Sequence, residues 1–287
     1  MLKTVDNLKM TINDFTVSYN DSGSDNTTVI ICIHGFPLNK SMWDKQAEAL
    51  NKDYRVIAYD VRGHGNSDSG IGDFNIELFV NDLICLMDTL KLDKAVLCGL
   101  SMGGYIALNA IEKYPERFEA LVLSDTQCIA DTPEAKEKRL KAIENIKENG
   151  VEKYANESIK NLFSPESLLT KKDEVAVVRE MIVNTPMQSL FKTLLALAER
   201  KETCSKLQDI KLPVLIMAGS EDKITPPAVA QQMHEKIQHS VLKIIDYAGH
   251  LANLENPDDF NYQLKYFLQG AFLKNNFAYK LLTVCKS

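Results

Sequence analysis

Apolar and polar positions along the chain follow two alternating rhythms. Residues 9–20 alternate one by one and then turn through Asp21-Ser22-Gly23, which predicts an opening hairpin-like pair of strands. Short, largely unbroken apolar runs follow at 28–33, 54–59, 95–98, 120–124, 212–219 and 241–245. The run at 28–33 reads as a central strand buried on both faces, 95–98 and 120–124 as further buried strands, and the others as strands of the same kind. Between them, residues 43–50, 76–90, 105–114 and a stretch from about Pro227 carry helical spacing, and Pro115 lies just past the third. Strands alternating with helices imply βαβ units and a mostly parallel sheet.

The alternation stops between 132 and 200, where helical signals take over. Pro133-Glu134 opens one helix, Gly150 breaks it, and 151–163 reads as another. Ser164-Pro165-Glu166 has the form of an N-cap with proline at the first helical position, and Thr185-Pro186 reads the same way. Ile143, Phe163, Met187, Leu190, Phe191 and Leu194 recur at near-helical spacing, so most of them should pack these helices together or onto the main body. Arg139, Lys192 and Arg200 are expected on a solvated face. The resulting division is a core of 1–130 and 202–269, a helical insertion of 131–201, and a tail of 270–287 with no assigned role. That tail mixes Phe272, Phe277, Leu281 and Leu282 with lysines.

Composition narrows the class without choosing a chemistry. Hydrophobic content of 45% and charged content of 25% over 287 residues are those of an ordinary globular protein. A net charge of −6 offers no basic footprint for nucleic acid. The first residues lack an apolar signal core, and no run approaches the ~20 apolar residues of a membrane span, so a cytoplasmic location without membrane partners is expected. The six cysteines (Cys32, Cys85, Cys98, Cys128, Cys204, Cys285) show no C-x-x-C spacing. All six are expected reduced, with no metal site and no disulfide framework.

The chemistry gathers at Gly99-Leu100-Ser101-Met102-Gly103, set between an apolar strand and a helix. Gly-x-Ser-x-Gly in that context is the pattern of a nucleophile elbow: the serine sits on a sharp turn whose glycines remove Cβ atoms that would clash. The backbone N–H of Met102, close to the N-terminus of that helix, then points to where an oxyanion would form. His34-Gly35-Phe36-Pro37 and Asp60-x-Arg62-Gly63-His64-Gly65-x-Ser67 precede it, each just past a strand.

These three motifs, in this order and spacing, resemble the α/β-hydrolase superfamily over about residues 10–269. The fold implied is the α/β-hydrolase fold, a mostly parallel sheet flanked by helices with an inserted helical cap. The resemblance implies that the loop after the third strand supplies a second oxyanion donor, the backbone N–H of Phe36. It also implies structural roles for His34, His64 and Arg62. Asp222 stands at the position matching the family's Gly-x-x-Asp, while Asp125, after the preceding strand, is the rival acid. His250 alone among five histidines follows a strand and a glycine downstream of the acid; His234 and His239 are explained by surface positions. The order Ser101, Asp222, His250 is that of this fold. The elbow and the 124–134 stretch look most like 3-oxoadipate enol-lactonases and small carboxylesterases. The expected activity is therefore hydrolysis of a small ester or lactone by a serine triad, without cofactor, in a possible homo-oligomer. Thioester or carbon–carbon bond hydrolysis on the same triad, or a non-catalytic small-molecule receptor, are the alternatives.

Overall fold

A computed structural model describes residues 5–23 and 28–272. Strands β1 (Val5–Ile12) and β2 (Phe15–Asp21) form an antiparallel hairpin, but it turns at Asn13-Asp14 rather than at Asp21-Ser22-Gly23, and Asp21 ends β2. The parallel strands are β3 (Val29–Ile33), β4 (Arg55–Tyr59), β5 (Ala95–Leu100), β6 (Phe118–Ser124), β7 (Val214–Gly219) and β8 (Ser240–Ile245). They form one eight-stranded sheet of order β1-β2-β4-β3-β5-β6-β7-β8, with β2 antiparallel to β4 and every pairing from β4 to β8 parallel.

The apolar runs divide strictly by parity, because successive side chains on a strand point to opposite faces. Ile31, Ile33, Leu97, Leu121, Leu123 and Ile216 pack on one face, against helices α2 (Ile76–Thr89) and α3 (Met102–Lys113). Ile30, Cys32, Val96, Cys98, Val122 and Met217 pack on the other with Trp43, Leu50 of α1 (Asp44–Leu50), and residues of the later helices. Both faces are covered, which is why these strands show no polar alternation.

Between β6 and β7 the chain forms α4 (Pro133–Leu162), α5 (Pro165–Thr170), α6 (Lys172–Val183) and α7 (Met187–Ala198). Gly150 interrupts α4 at φ 81°, ψ 168°, a backbone that only glycine adopts readily. Ser164 caps α5, its hydroxyl accepting the Ser167 N–H. Thr185 does not cap α7, contrary to the expectation from the sequence: its hydroxyl donates back to the Met181 carbonyl at 2.9 Å, a bond within reach because the threonine lies two residues past the end of α6. Ile143, Ile146, Leu190 and Leu194 cluster between α4 and α7. After β7 come α8 (Pro227–Lys236), α9 (Ala252–Glu255) and α10 (Pro257–Phe272). Helix α10 carries the chain three residues into the stretch assigned to the tail; 273–287, with Phe277, Leu281, Leu282 and Cys285, lie outside the described residues.

Two expectations are corrected. Cys128 and Cys204 form a disulfide rather than remaining thiols. They stand where the chain leaves β6 and where it returns toward β7, and Thr203 N–H donates to the Cys128 carbonyl at 2.8 Å, so the two ends of the insertion meet across a separation of 76 residues. Cys32, Cys85 and Cys98 are free, as expected. Arg200 is buried rather than solvated: its guanidinium pairs with Asp131, donates to the carbonyls of Leu197 and Ile129, and lies 4.5 Å from the Tyr105 ring centroid. Among the described residues no helix is long and apolar enough to cross a membrane.

Candidate active site

Ser101 occupies the junction of β5 and α3 at φ 53°, ψ −113°, a backbone that a non-glycine residue holds only when its surroundings enforce it. Here they do. Its N–H donates to Ser124 O at 2.9 Å, and its carbonyl accepts from Gly104 N–H at 2.9 Å and the Thr126 hydroxyl at 2.8 Å. The turn closes only because two neighbours lack side chains. A Cβ on Gly99 would lie 2.3 Å from Gly103 O, and one on Gly103 would lie 2.2 Å from Ile33 O. The serine side chain emerges at the carboxyl end of the sheet, beside the N-terminus of α3, whose first N–H belongs to Met102 and has no acceptor within the helix. The helix begins directly after Ser101, three residues earlier than the spacing of apolar residues indicates.

Two other strand ends bring in a base and an acid. His250 Nε2 lies 2.9 Å from Ser101 Oγ, and its Nδ1 lies 2.8 Å from Asp222 Oδ2. Asp222 Oδ2 also accepts the Thr225 hydroxyl at 2.7 Å, and its Oδ1 accepts the N–H groups of Ile224 and Thr225 at 2.8 and 3.0 Å. Four donors therefore fix the carboxylate in one plane. Burial disfavours ionised Asp222, but His250 and these hydrogen bonds outweigh it and hold the carboxyl below its usual range. Burial likewise works against a charged imidazole, yet the Asp222 carboxylate overcomes it and raises His250 above its ordinary 6.5. With Nδ1 donating to Asp222, Nε2 is left to accept the serine proton.

Asp125, the rival acid, has its oxygens engaged elsewhere. Oδ1 accepts Gly219 N–H at 2.8 Å and Oδ2 accepts the Ser124 hydroxyl at 2.7 Å. Burial and the nearby Asp222 push its carboxyl well above the ordinary value. Glu221 is exposed. His34 accepts Val61 N–H at 2.9 Å through Nε2, and His64 Nδ1 lies 3.0 Å from Arg62 O. Burial lowers their pKa values to about 4 and about 3, so both are neutral: His34 braces one loop against the next, and His64 braces its own turn. Arg62 binds Asp82 through two 2.8 Å hydrogen bonds, pairs with Asp14 at 2.7 Å and lies over the Phe15 ring. The structural readings of all three side chains hold. His234 is half-buried, with Nδ1 2.9 Å from Ser240 Oγ, away from the triad.

The loop carrying Phe36 abuts the elbow: a Cβ on Gly35 would lie 3.3 Å from Ser101 Cβ. Phe36, Met102, Ser101 and His250 together line a cavity of about 550 Å³. Its outer wall comes from α4 and α7, with Ala142, Tyr154, Leu162, Leu194 and Leu197. Lys138, Arg139 and Lys223 also line it, against the single carboxylate of Asp131, which pairs with both Arg139 and Arg200. These cations carry no signal in the sequence, because which face of α4 meets the cavity depends on how the insertion docks. Among the described residues no cluster of His, Cys, Asp and Glu is arranged to hold a metal ion.

A family model for the alpha/beta hydrolase fold matches residues 28–257, and the chain belongs to that family. It is a hydrolase of the α/β fold. The 3-oxoadipate enol-lactonase 1 of Acinetobacter baylyi is 31% identical over 246 residues, covering 85% of this chain and 90% of its own. Among solved structures, a thermophilic esterase from Thermogutta terrifontis, with malate bound, superposes with a TM-score of 0.87 at 32% identity, covering 94% of this chain and all of the esterase. An enol-lactonase from Burkholderia xenovorans gives 0.85 at 27% identity, over 91% of this chain and all of its own.

Proposed function

We propose that the protein is a serine hydrolase that cleaves a small carboxylic ester or lactone through an acyl-enzyme. The observation that carries this reading is the unbroken hydrogen-bonded string Ser101 Oγ, His250, Asp222, which ends on the floor of an accessible cavity. In the first step Ser101 Oγ bonds to the carbonyl carbon while its proton passes to His250 Nε2. The Asp222 carboxylate stabilises the imidazolium without taking its proton. The backbone N–H groups of Phe36 and Met102 receive the oxyanion; one such donor is worth about 3 kcal/mol in the transition state. Collapse of the tetrahedral intermediate breaks the carbon–oxygen bond, and His250 returns the proton to the departing alkoxide or enolate. Water, deprotonated by the same imidazole, then releases the acid.

The cavity's charge extends the reading to the acyl group. Three cations against one already paired carboxylate favour a chain that ends in its own carboxylate. The enol-lactonase relatives and the malate-bound esterase agree with a small acidic substrate.

A fluorophosphonate probe tests the nucleophile. It should add one phosphonyl group to the peptide containing Ser101, and none after Ser101→Ala. Labelling at another serine, or none in a protein that turns over esters, contradicts the reading.

A further inference from the structure

Glu255 is a buried carboxylate for which the reaction has no use. It closes the short helix α9, five residues after His250, and is 2% exposed. Its hydrogen-bond partners are backbone N–H groups. Oε1 accepts from Gly249 at 2.9 Å and from Leu251 at 3.3 Å, the two residues flanking His250. Oε2 accepts from Ser164 at 2.8 Å, in the turn between α4 and α5. His250 itself donates its N–H at 2.9 Å to the carbonyl of Leu162, the last residue of α4. Three successive N–H groups, 249 to 251, are thus pinned, and two separate chain segments share one carboxylate. The contact is close enough that a Cβ on Gly249 would lie 2.7 Å from Ser164 N.

A carboxylate is the one side chain suited to this place. It is acceptor-only and has lone pairs for several donors, whereas an amide turns an NH₂ toward one set of them. Burying a charge is costly unless hydrogen bonds satisfy it, so such a group is retained only where its acceptors are all in use.

We infer that Glu255 is the positioning residue for His250: it clamps the histidine loop from both sides and ties it to the α4–α5 turn, so that the insertion and the base keep one register. The inference rests on the reading of His250 as the general base. It predicts that loss of the carboxylate misplaces Nε2 relative to Ser101 Oγ, which lowers kcat more than it raises KM. It also removes a negative charge from the surroundings of the imidazole. The ionisable groups that face it are Asp222, Asp125, whose carboxyl burial pushes up, and Glu255, with Lys223 on the cavity wall. Removing the Glu255 carboxylate weakens the imidazolium, so the acid limb of the kcat/KM profile moves to lower pH.

The test compares Glu255→Gln, Glu255→Asp and His250→Ala with wild type on p-nitrophenyl acetate, with folding checked by circular dichroism. Folded Glu255→Gln should lose tenfold or more in kcat with KM within about threefold, and its acid limb should fall. Glu255→Asp keeps the charge but is one methylene too short to reach both segments. It should lose kcat while its acid limb stays at the wild-type pH. Wild-type kcat in folded Glu255→Gln overturns the inference, as does a kcat loss with an unmoved limb. If Glu255→Gln does not fold, Glu255→Asp decides, and wild-type kcat there overturns it. Activity retained by His250→Ala would sink the general-base reading itself. An inert His250→Ala beside fully active Glu255 variants would sink only the clamp.

Discussion

Replacing Asp222 by asparagine changes one atom and reverses the proton logic of the site. The two backbone donors of Ile224 and Thr225 meet Oδ1 at 2.8 and 3.0 Å, so the oxygen of the introduced amide takes that side. Its NH₂ then faces His250 Nδ1, 2.8 Å from where the carboxylate oxygen had been. Nδ1 must now accept, which moves the imidazole proton to Nε2. There it points at Ser101 Oγ, and the ring cannot take the serine proton. A wrong tautomer in such a triad costs about 10⁴ in kcat, or about 5.4 kcal/mol at 1.36 kcal/mol per tenfold. The Thr225 hydroxyl, now facing an NH₂, can turn to accept, so the fold should survive. The assay is kcat/KM for p-nitrophenyl acetate across pH, with a melting curve as control. In wild type the base must be neutral to act. Activity should therefore rise with pH through a midpoint above 6.5, the direction in which Asp222 shifts His250. A folded Asp222→Asn enzyme that loses less than tenfold would refute the reasoning.

Other consequences follow from the surrounding structure. Asp82→Ala leaves the fully buried Arg62 guanidinium without its two-pronged partner and should cost about 3 kcal/mol in urea unfolding; a loss under about 1 kcal/mol would show that Asp14 suffices. Arg139→Gln should raise KM several-fold for an ester whose acyl chain ends in a carboxylate and leave a neutral ester of equal length unchanged; equal effects on both would remove the charge argument. Double replacement of Cys128 and Cys204 by serine frees a loop of 76 residues and should lower unfolding free energy by about 4 kcal/mol. Alkylation without reductant should leave these two cysteines unmodified, and alkylation of both would contradict the bridge.

The parts legible in the sequence were those fixed by local pattern. The central parallel strands are short, apolar and buried on both faces, so runs such as 28–33 betray themselves without knowledge of the fold, whereas β8 at the sheet edge is only partly buried. Ser101 was legible because its turn demands Gly99 and Gly103 within two residues on either side. Asp222 and His250 were legible as polar residues just past apolar strands, in an order that the fold imposes. What stayed hidden depends on docking. Arg200 looks like any helix-end arginine until Asp131 and the Tyr105 ring close around it. Cys128 and Cys204 meet only because the insertion leaves and re-enters the core at one point. Arg139 shares one face of α4 with Ile143 and Ile146, and that face meets α7 and the cavity only once the insertion has docked. Glu255 gives no signal of its own, since its partners are backbone groups that any sequence supplies. Thr185 misled for a related reason: a hydroxyl before a proline can cap the helix ahead or bond to the one behind.

Everything in this account turns on Ser101 as the attacking group, and one pair of proteins tests it. Hydrolysis of p-nitrophenyl acetate, butyrate and octanoate should be measured for wild type and Ser101→Ala under identical conditions. Wild type should turn over the shorter esters, and the mutant should fall by several orders of magnitude with its folding unchanged. Equal activity in the two proteins would mean that the hydrogen-bonded string from Ser101 to Asp222 is not where the chemistry occurs.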